Sequence, residues 1–155
     1  MILSAQTIRE RKLLSPMEES GRQSGMSFGL SHCGYDLRID LAAEGHSEII
    51  LGPGQFRLAA AREKFQMDTD TVGFVKDKSS WARRGLSVFN TVIEPGWEGY
   101  LTLELVNNSD ELLTIRDGDP IAQVLFQLTD KPVDRPYAGK YQHQDRGPQA
   151  FRTES

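Results

Sequence analysis

GYLTLELVNNSDELLTIRDGDPIAQVLFQLT, Gly99 to Thr129, alternates, breaks, and alternates again. Side chains of an extended chain point to opposite faces in turn. Leu101, Leu103 and Leu105 therefore share one face, and Thr102 and Glu104 share the other. Asn107-Asn108-Ser109 and Asp117-Gly118-Asp119-Pro120 are clusters of turn formers. The apolar segments ELLTIR and IAQVLFQLT follow them, so the stretch reads as three strands joined by two turns.

Working outward, the same grammar continues. TVGFVK and GLSVFN lie upstream, and Glu94-Pro95-Gly96 is the turn before Gly99. EIIL and QFRLAAA flank a Gly-Pro-Gly turn. In YDLRIDL, Tyr35, Leu37, Ile39 and Leu41 face one way and Asp36, Arg38 and Asp40 the other, as in a half-buried strand. Many short strands with regular punctuation predict a mostly β barrel or sandwich in one domain, 1–155, with no internal repeat. Ser4 is the expected N-cap of a short N-terminal helix through Gln6, Ile8 and Leu13. Residues 15–31, rich in Ser, Gly and Met without a period, read as a loop. The polar end from Arg135 onward reads, taken alone, as a disordered tail.

Composition narrows the function. The chain has 155 residues, 26% charged and 38% hydrophobic, an ordinary globular balance. No apolar run approaches the roughly 20 residues of a membrane span, and MILSAQTIRERKLL carries charges where a signal peptide needs an apolar core. The expected location is the cytoplasm, and the single cysteine, Cys33, agrees with a reducing compartment. A net charge of -4 argues against general nucleic-acid binding, which needs a basic face. His46-Ser47-Glu48 matches half of the zinc-deaminase signature, but one cysteine cannot complete the other half, so no zinc site is expected. There is no G-x-x-x-x-G-K-[ST] loop.

Two constellations carry chemistry. In KSSWARRGL, Ser79 or Ser80 is placed to cap a one- or two-turn helix that Gly85 ends, with Lys78 at the same end and Arg83 a turn later. Free backbone N–H groups, hydroxyls and cations together suit a phosphate chain; the same spacing also fits a capped surface helix with solvated arginines. Glu104 is the one carboxylate in an apolar strand. On a solvent face it is merely exposed; on a pocket face it is a general base with a tunable pKa. Glu94, before Pro95-Gly96, is a turn former or a ligand for a sugar hydroxyl or a water.

Taken together, Lys78-Ser79-Ser80-x-x-Arg83-x-Gly85-Leu86, Glu94-Pro95-Gly96-Trp97-x-Gly99 and Thr102-Leu103-Glu104 resemble the dCTP deaminase branch of the dUTPase superfamily. SHCGYDL at Ser31–Leu37, LGPGQFRLAAAREKF, and the tail segment Pro136-Tyr137…Gly139-Lys140-Tyr141-Gln142…Gln144 extend the resemblance over nearly the whole chain. It implies a distorted β-barrel or jelly-roll-like subunit of dUTPase type, with one short helix at the phosphate site, assembled as a homotrimer with active sites between subunits. The implied substrate is dCTP, with Mg2+ held by its triphosphate and no metal held by the protein; dUTP and dTTP are the related nucleotides. By resemblance Glu104, Ser79 and Arg83 are catalytic. Lys78 and Ser80 hold phosphates, Thr102 and Leu103 meet the base, and Gln123 matches the glutamine before the last barrel strand. Tyr137, Lys140 and Gln144 close over the triphosphate from a tail, 132–155. The implied reaction is hydrolytic and metal-free: Glu104 takes a proton from water and passes it on, giving dUTP and ammonia. Glu94 stands where the family usually carries Asp near the deoxyribose. The segment Leu86–Glu94 is about two residues shorter than in the well-known bacterial members and lacks the histidine of their dTTP switch. Such compactness suits a phage or minimal bacterial homologue.

Three functions follow as alternatives: dCTP deaminase; dUTPase, alone or bifunctionally after deamination, giving dUMP and pyrophosphate; and a non-catalytic nucleotide sensor or structural barrel. The T-L-E strand, and a tail without the glycine-rich motif of pure dUTPases, favour deamination.

Overall fold

The computed structural model describes residues 1–154. In chain order the elements are helix α1 (Ala5–Arg11), strands β1 (Leu14–Ser15), β2 (Gly21–Gln23), β3 (Met26–Leu30) and β4 (Tyr35–Arg38), a 3-10 turn (Ala42–Glu44), then β5 (Glu48–Leu51), β6 (Phe56–Gln66) and β7 (Thr71–Asp77). Helix α2 (Ser79–Ala82) precedes β8 (Leu86–Val88), β9 (Val92–Ile93), β10 (Glu98–Asn107), β11 (Leu113–Arg116) and β12 (Pro120–Leu128). A four-stranded sheet in the order β1-β6-β10-β8 faces a six-stranded sheet in the order β2-β3-β4-β12-β7-β9; β11 and β5 form a separate pair. All of these strand pairings are antiparallel. The mostly β, barrel-like architecture expected from the sequence is the one that forms.

The alternation read in the opening stretch explains the core. Leu103 and Leu105 of β10 join Ala59, Ala61 and Phe65 of β6. Opposite them lie Tyr35, Leu37, Val124 and Phe126 of the other sheet, all fully buried. Phe65 links the layers, its ring centroid 6.4 Å from Phe126 and 6.1 Å from Trp97. Each Leu, Val or Phe side chain among these contributes about 1.5–3 kcal/mol by leaving water.

A buried ion pair ties the two sheets together. Arg38 Nε donates to Glu63 Oε1 at 2.9 Å and Arg38 N donates to Glu63 Oε2 at 3.1 Å, joining β4 to β6. Glu63 is fully buried, and burial pushes its carboxyl above the ordinary range while Arg38 pulls it back. The guanidinium stacks 4.7 Å from the centre of the Phe28 ring.

Two expectations need correction. Residues 15–31 are not a plain loop, because β2 and β3 form a hairpin there. Ser24 and Gly25 turn it with φ of 50° and 75°, the conformation a two-residue hairpin turn requires. The hairpin had no alternating signal because most of its residues are only half-buried. Helix α1 also stops at Arg11, since Lys12 adopts a left-handed φ of 54°, so Leu13 lies beyond it. Ser4 occupies the N-cap without donating or accepting a side-chain capping bond.

A buried pair tolerates loss of both partners better than loss of one. Arg38→Met is expected to cost about 3–5 kcal/mol in urea unfolding. Arg38→Met combined with Glu63→Leu is expected to recover most of that loss.

Candidate active site

Strand β10 has two working faces. Its Leu103 and Leu105 side chains enter the core, while Thr102 and Glu104 line a cavity of about 560 Å³. Leu101, expected on the core face, lines that cavity as well, at the point where the register with β6 slips. The wall continues through Asn90, Glu94 and Trp97, and the tail supplies Tyr137, Gln144 and Gln149. The face that pattern alone assigns to solvent is thus a pocket face, roofed by the C-terminal segment.

Burial keeps water from the Glu104 carboxyl and pushes its pKa up to about 7. Its Oε2 is buried and makes no hydrogen bond among the described residues. The backbone carrying it is held by Phe89 N donating to Glu104 O at 2.8 Å. Thr102 Oγ1 accepts a bond of 3.0 Å from Gln149 N. A carboxyl that titrates near neutrality in a half-dry cavity is suited to taking and returning a proton. Glu94 lies exposed at the same cavity. Leu103 is fully buried on the other face, and its side chain does not line the cavity.

The cationic constellation lies elsewhere. Lys78, Ser79, Ser80, Arg83 and Gln123 do not line the Glu104 cavity within one chain. The N-cap of α2 is Lys78 rather than either serine, and the helix is a single turn. Trp81 pins it, donating from Nε1 to Pro120 O at 2.9 Å. Gly85, with φ of 91°, follows the helix end as the sequence suggested. Ser79, Ser80 and Arg83 are exposed. Lys78 is buried, its Nζ donating to Asp36 Oδ2 at 2.7 Å, and Gln123 Nε2 donates to Asp36 Oδ1 at 3.3 Å and Ser31 Oγ at 3.2 Å. Lys78 and Gln123 thus belong to one buried network beneath the exposed serines.

The tail is the largest departure from a reading of it alone. It docks along the start of β10. Trp97 Nε1 donates to Tyr141 O at 2.7 Å, Glu98 N to Gln142 Oε1 at 2.8 Å, and Gln144 Nε2 to Tyr100 O at 3.1 Å. Further on, Arg146 grips the fully buried Asp40 carboxylate at 2.6 and 2.9 Å. Lys140 Nζ lies 5.2 Å from the Tyr141 ring centre and 5.0 Å from that of Phe151. The glycines of Glu94-Pro95-Gly96-Trp97-x-Gly99 now have a reason. A Cβ on Gly96 would sit 2.6 Å from Pro136 Cβ, and one on Gly99 would sit 2.7 Å from Gln144 N. Sequence reasoning missed Asn90, Gln149, Phe151 and the Asp40–Arg146 pair. None of these stands out locally in the sequence, because each gains its role from residues distant in the chain.

Among the described residues no group of three or more His, Cys, Asp or Glu side chains is placed to hold a metal ion. No helix among them is long and apolar enough to cross a membrane.

A β-barrel with a recessed carboxylate defines a class that comparison then names. The family described as dCTP deaminase-like matches residues 39–129. The dCTP deaminase of Pyrococcus furiosus is 31% identical over 155 aligned residues, covering 94% of each chain. A probable deoxyuridine 5'-triphosphate nucleotidohydrolase of Sulfolobus islandicus rod-shaped virus 1 is 29% identical, covering 93% of this chain and 94% of its own. Among solved structures, EIAV dUTPase superposes with a TM-score of 0.58 at 18% identity, over 82% of this chain and 98% of that one, which shows the shared fold. The chain belongs to the dCTP deaminase-like family, on a dUTPase-type barrel.

Two outcomes follow. Gly99→Ala is expected to lift the tail and to speed tryptic cleavage at Lys140 and Arg146 roughly 5- to 30-fold, the factor for about 1–2 kcal/mol. Glu104 keeps its proton up to about pH 7 in the folded chain but only to near 4.5 when unfolded. Stability linked to it is therefore complete below 4.5 and lost as pH rises through 7. Glu104→Gln removes that loss, so urea unfolding is expected to show it gaining about 1–3 kcal/mol more over the parent at pH 8 than at pH 5.

Proposed function

We propose that this protein is a dCTP deaminase, converting dCTP and water to dUTP and ammonia. One observation carries the reading: Glu104, titrating near 7 with an unpaired buried oxygen, in a cavity wide enough for a nucleobase. Its carboxylate takes a proton from the water that attacks C4 of cytosine. It returns that proton to N3 as C4–O forms. The C4 hydroxyl then gives its own proton, through Glu104, to the amino group, and C4–N breaks as the C4 carbonyl forms and ammonia leaves. Thr102 and the Leu103 backbone meet the base beside it. Glu94 faces the sugar, with one methylene more than the Asp usual in the family.

The other half of the site comes from a second subunit of a homotrimer. The separation of the α2 cluster from the Glu104 cavity supports this, since neither half is complete alone. Ser79 and Arg83 of the neighbour fix the water and offset the developing charge. Ser80 holds phosphate, while Lys78 and Gln123 hold the α2 segment in place through Asp36. Mg2+ arrives on the triphosphate as part of the substrate. Tyr137, Lys140 and Gln144 belong to the tail that closes the site, with Lys140 leaving its aromatic neighbours to meet phosphate.

A second reading, dUTP hydrolysis to dUMP and pyrophosphate by the same site, is favoured by the viral relative named for that activity. Chromatography of products from dCTP and from dUTP, each with Mg2+, separates the two. The expected result is dUTP from dCTP with added dUTP untouched; dUMP from both substrates would make the enzyme bifunctional, and dUMP from dUTP alone would overturn deamination. Glu104→Gln is expected to keep dCTP binding and lower turnover by about 10²–10⁴-fold. In the parent, kcat/KM is expected to fall as pH drops below about 7, because the base is then protonated.

A further inference from the structure

Strand β8 pairs with β10 only as far as Leu105↔Val88. One more backbone bond, Phe89 N to Glu104 O, closes the ladder, and the chain then leaves for β9, which pairs with β7 in the other sheet. The edge of β10 that carries Thr102 and Glu104 has therefore lost its neighbouring strand just where the cavity residues sit. On its other edge the register with β6 slips between Tyr100 and Thr102. A strand loosened on both sides is a poor mount for a carboxylate that must meet a water within a fraction of an ångström.

The Asn90 side chain occupies the gap. Its Nδ2 donates to Thr102 O at 2.9 Å, and its Oδ1 accepts from Glu104 N at 3.4 Å. A carboxamide has the donor and acceptor of a peptide unit, and here it stands in for the missing stretch of β8. Asn90 also lines the cavity.

We infer that Asn90 is a positioning residue for the reaction: its amide continues the β8–β10 ladder past Val88 and so fixes Thr102 and Glu104 against the base. The inference rests on Glu104 being the proton shuttle. Asn90 moves no proton itself. The short Leu86–Glu94 connection is what makes it necessary, because so compact a segment turns away after Phe89, before its backbone can reach Glu104 N and Thr102 O. An amide at this one position restores by side chain what the connection gives up in backbone.

Two variants test it. Asn90→Ala deletes the bridge. Its kcat for dCTP is expected to fall roughly 10- to 100-fold, the scale of a small misplacement of a catalytic group, with KM changing less. Asn90→Asp keeps the shape, turns the donor to Thr102 O into an acceptor, and adds a negative charge beside Glu104. The acid limb of its pH–rate profile is expected to move up by about one pH unit, since a like charge disfavours ionisation. A purely structural role would not move that limb. Wild-type kcat in Asn90→Ala, or an unshifted limb in Asn90→Asp, would overturn the inference. If the parent enzyme does not deaminate dCTP, the function proposed above fails by that result alone. The Glu104 carboxyl titration, followed by carbon-13 NMR in the parent and in Asn90→Asp, then decides the positioning contact: an upward shift upholds it and no shift overturns it.

Discussion

Everything at the site hangs on the pairing of β10 with β6. One strand serves two environments, with Leu103 and Leu105 facing the dry interior and Thr102 and Glu104 facing the cavity. A slip of one residue would exchange the two sets and bury a carboxylate in the core, so the register is strongly specified. The apolar face supplies the energy that holds the strand, and it offsets the cost of keeping the Glu104 carboxyl partly out of water. That is how a carboxyl group is kept half out of water in a chain whose composition is ordinary.

The same strand also mounts the roof. The tail beyond residue 132 has little hydrophobic content and would not order itself. It docks because Gly96, in the turn before β10, and Gly99, at its start, leave room for another backbone, and because Trp97, Glu98 and Tyr100 offer it donors and acceptors. The Arg146 grip on buried Asp40 adds an ionic contact whose loss would leave a carboxylate stranded. A segment made this way is held by many modest bonds rather than by a core.

Much of the barrel was legible because strands that are apolar on one side announce themselves by alternation. β10, β11 and β12 could be read directly, with the turns between them. The β2–β3 hairpin could not, since its residues are half-buried and its turn depends on positive φ at Ser24 and Gly25. At the site, Glu104 was legible as the odd polar residue in an apolar strand. Asn90 was not, because an asparagine after a short strand looks like any turn former until the partner it replaces is known to be missing.

The sequence alone determined the strand pattern, the two polar constellations, and, through their order, membership of the family that the comparisons name. Local spacing suffices for these, because alternation and turn chemistry act over a few residues. Only the tertiary structure decided which face of β10 sees solvent, that Lys78 is held by Asp36 in a buried network, and that the tail roofs the cavity. Each depends on residues far apart in the chain being brought within a few ångströms. Whether a carboxyl is an ordinary surface group or one titrating near 7 is set by how much water those distant residues exclude.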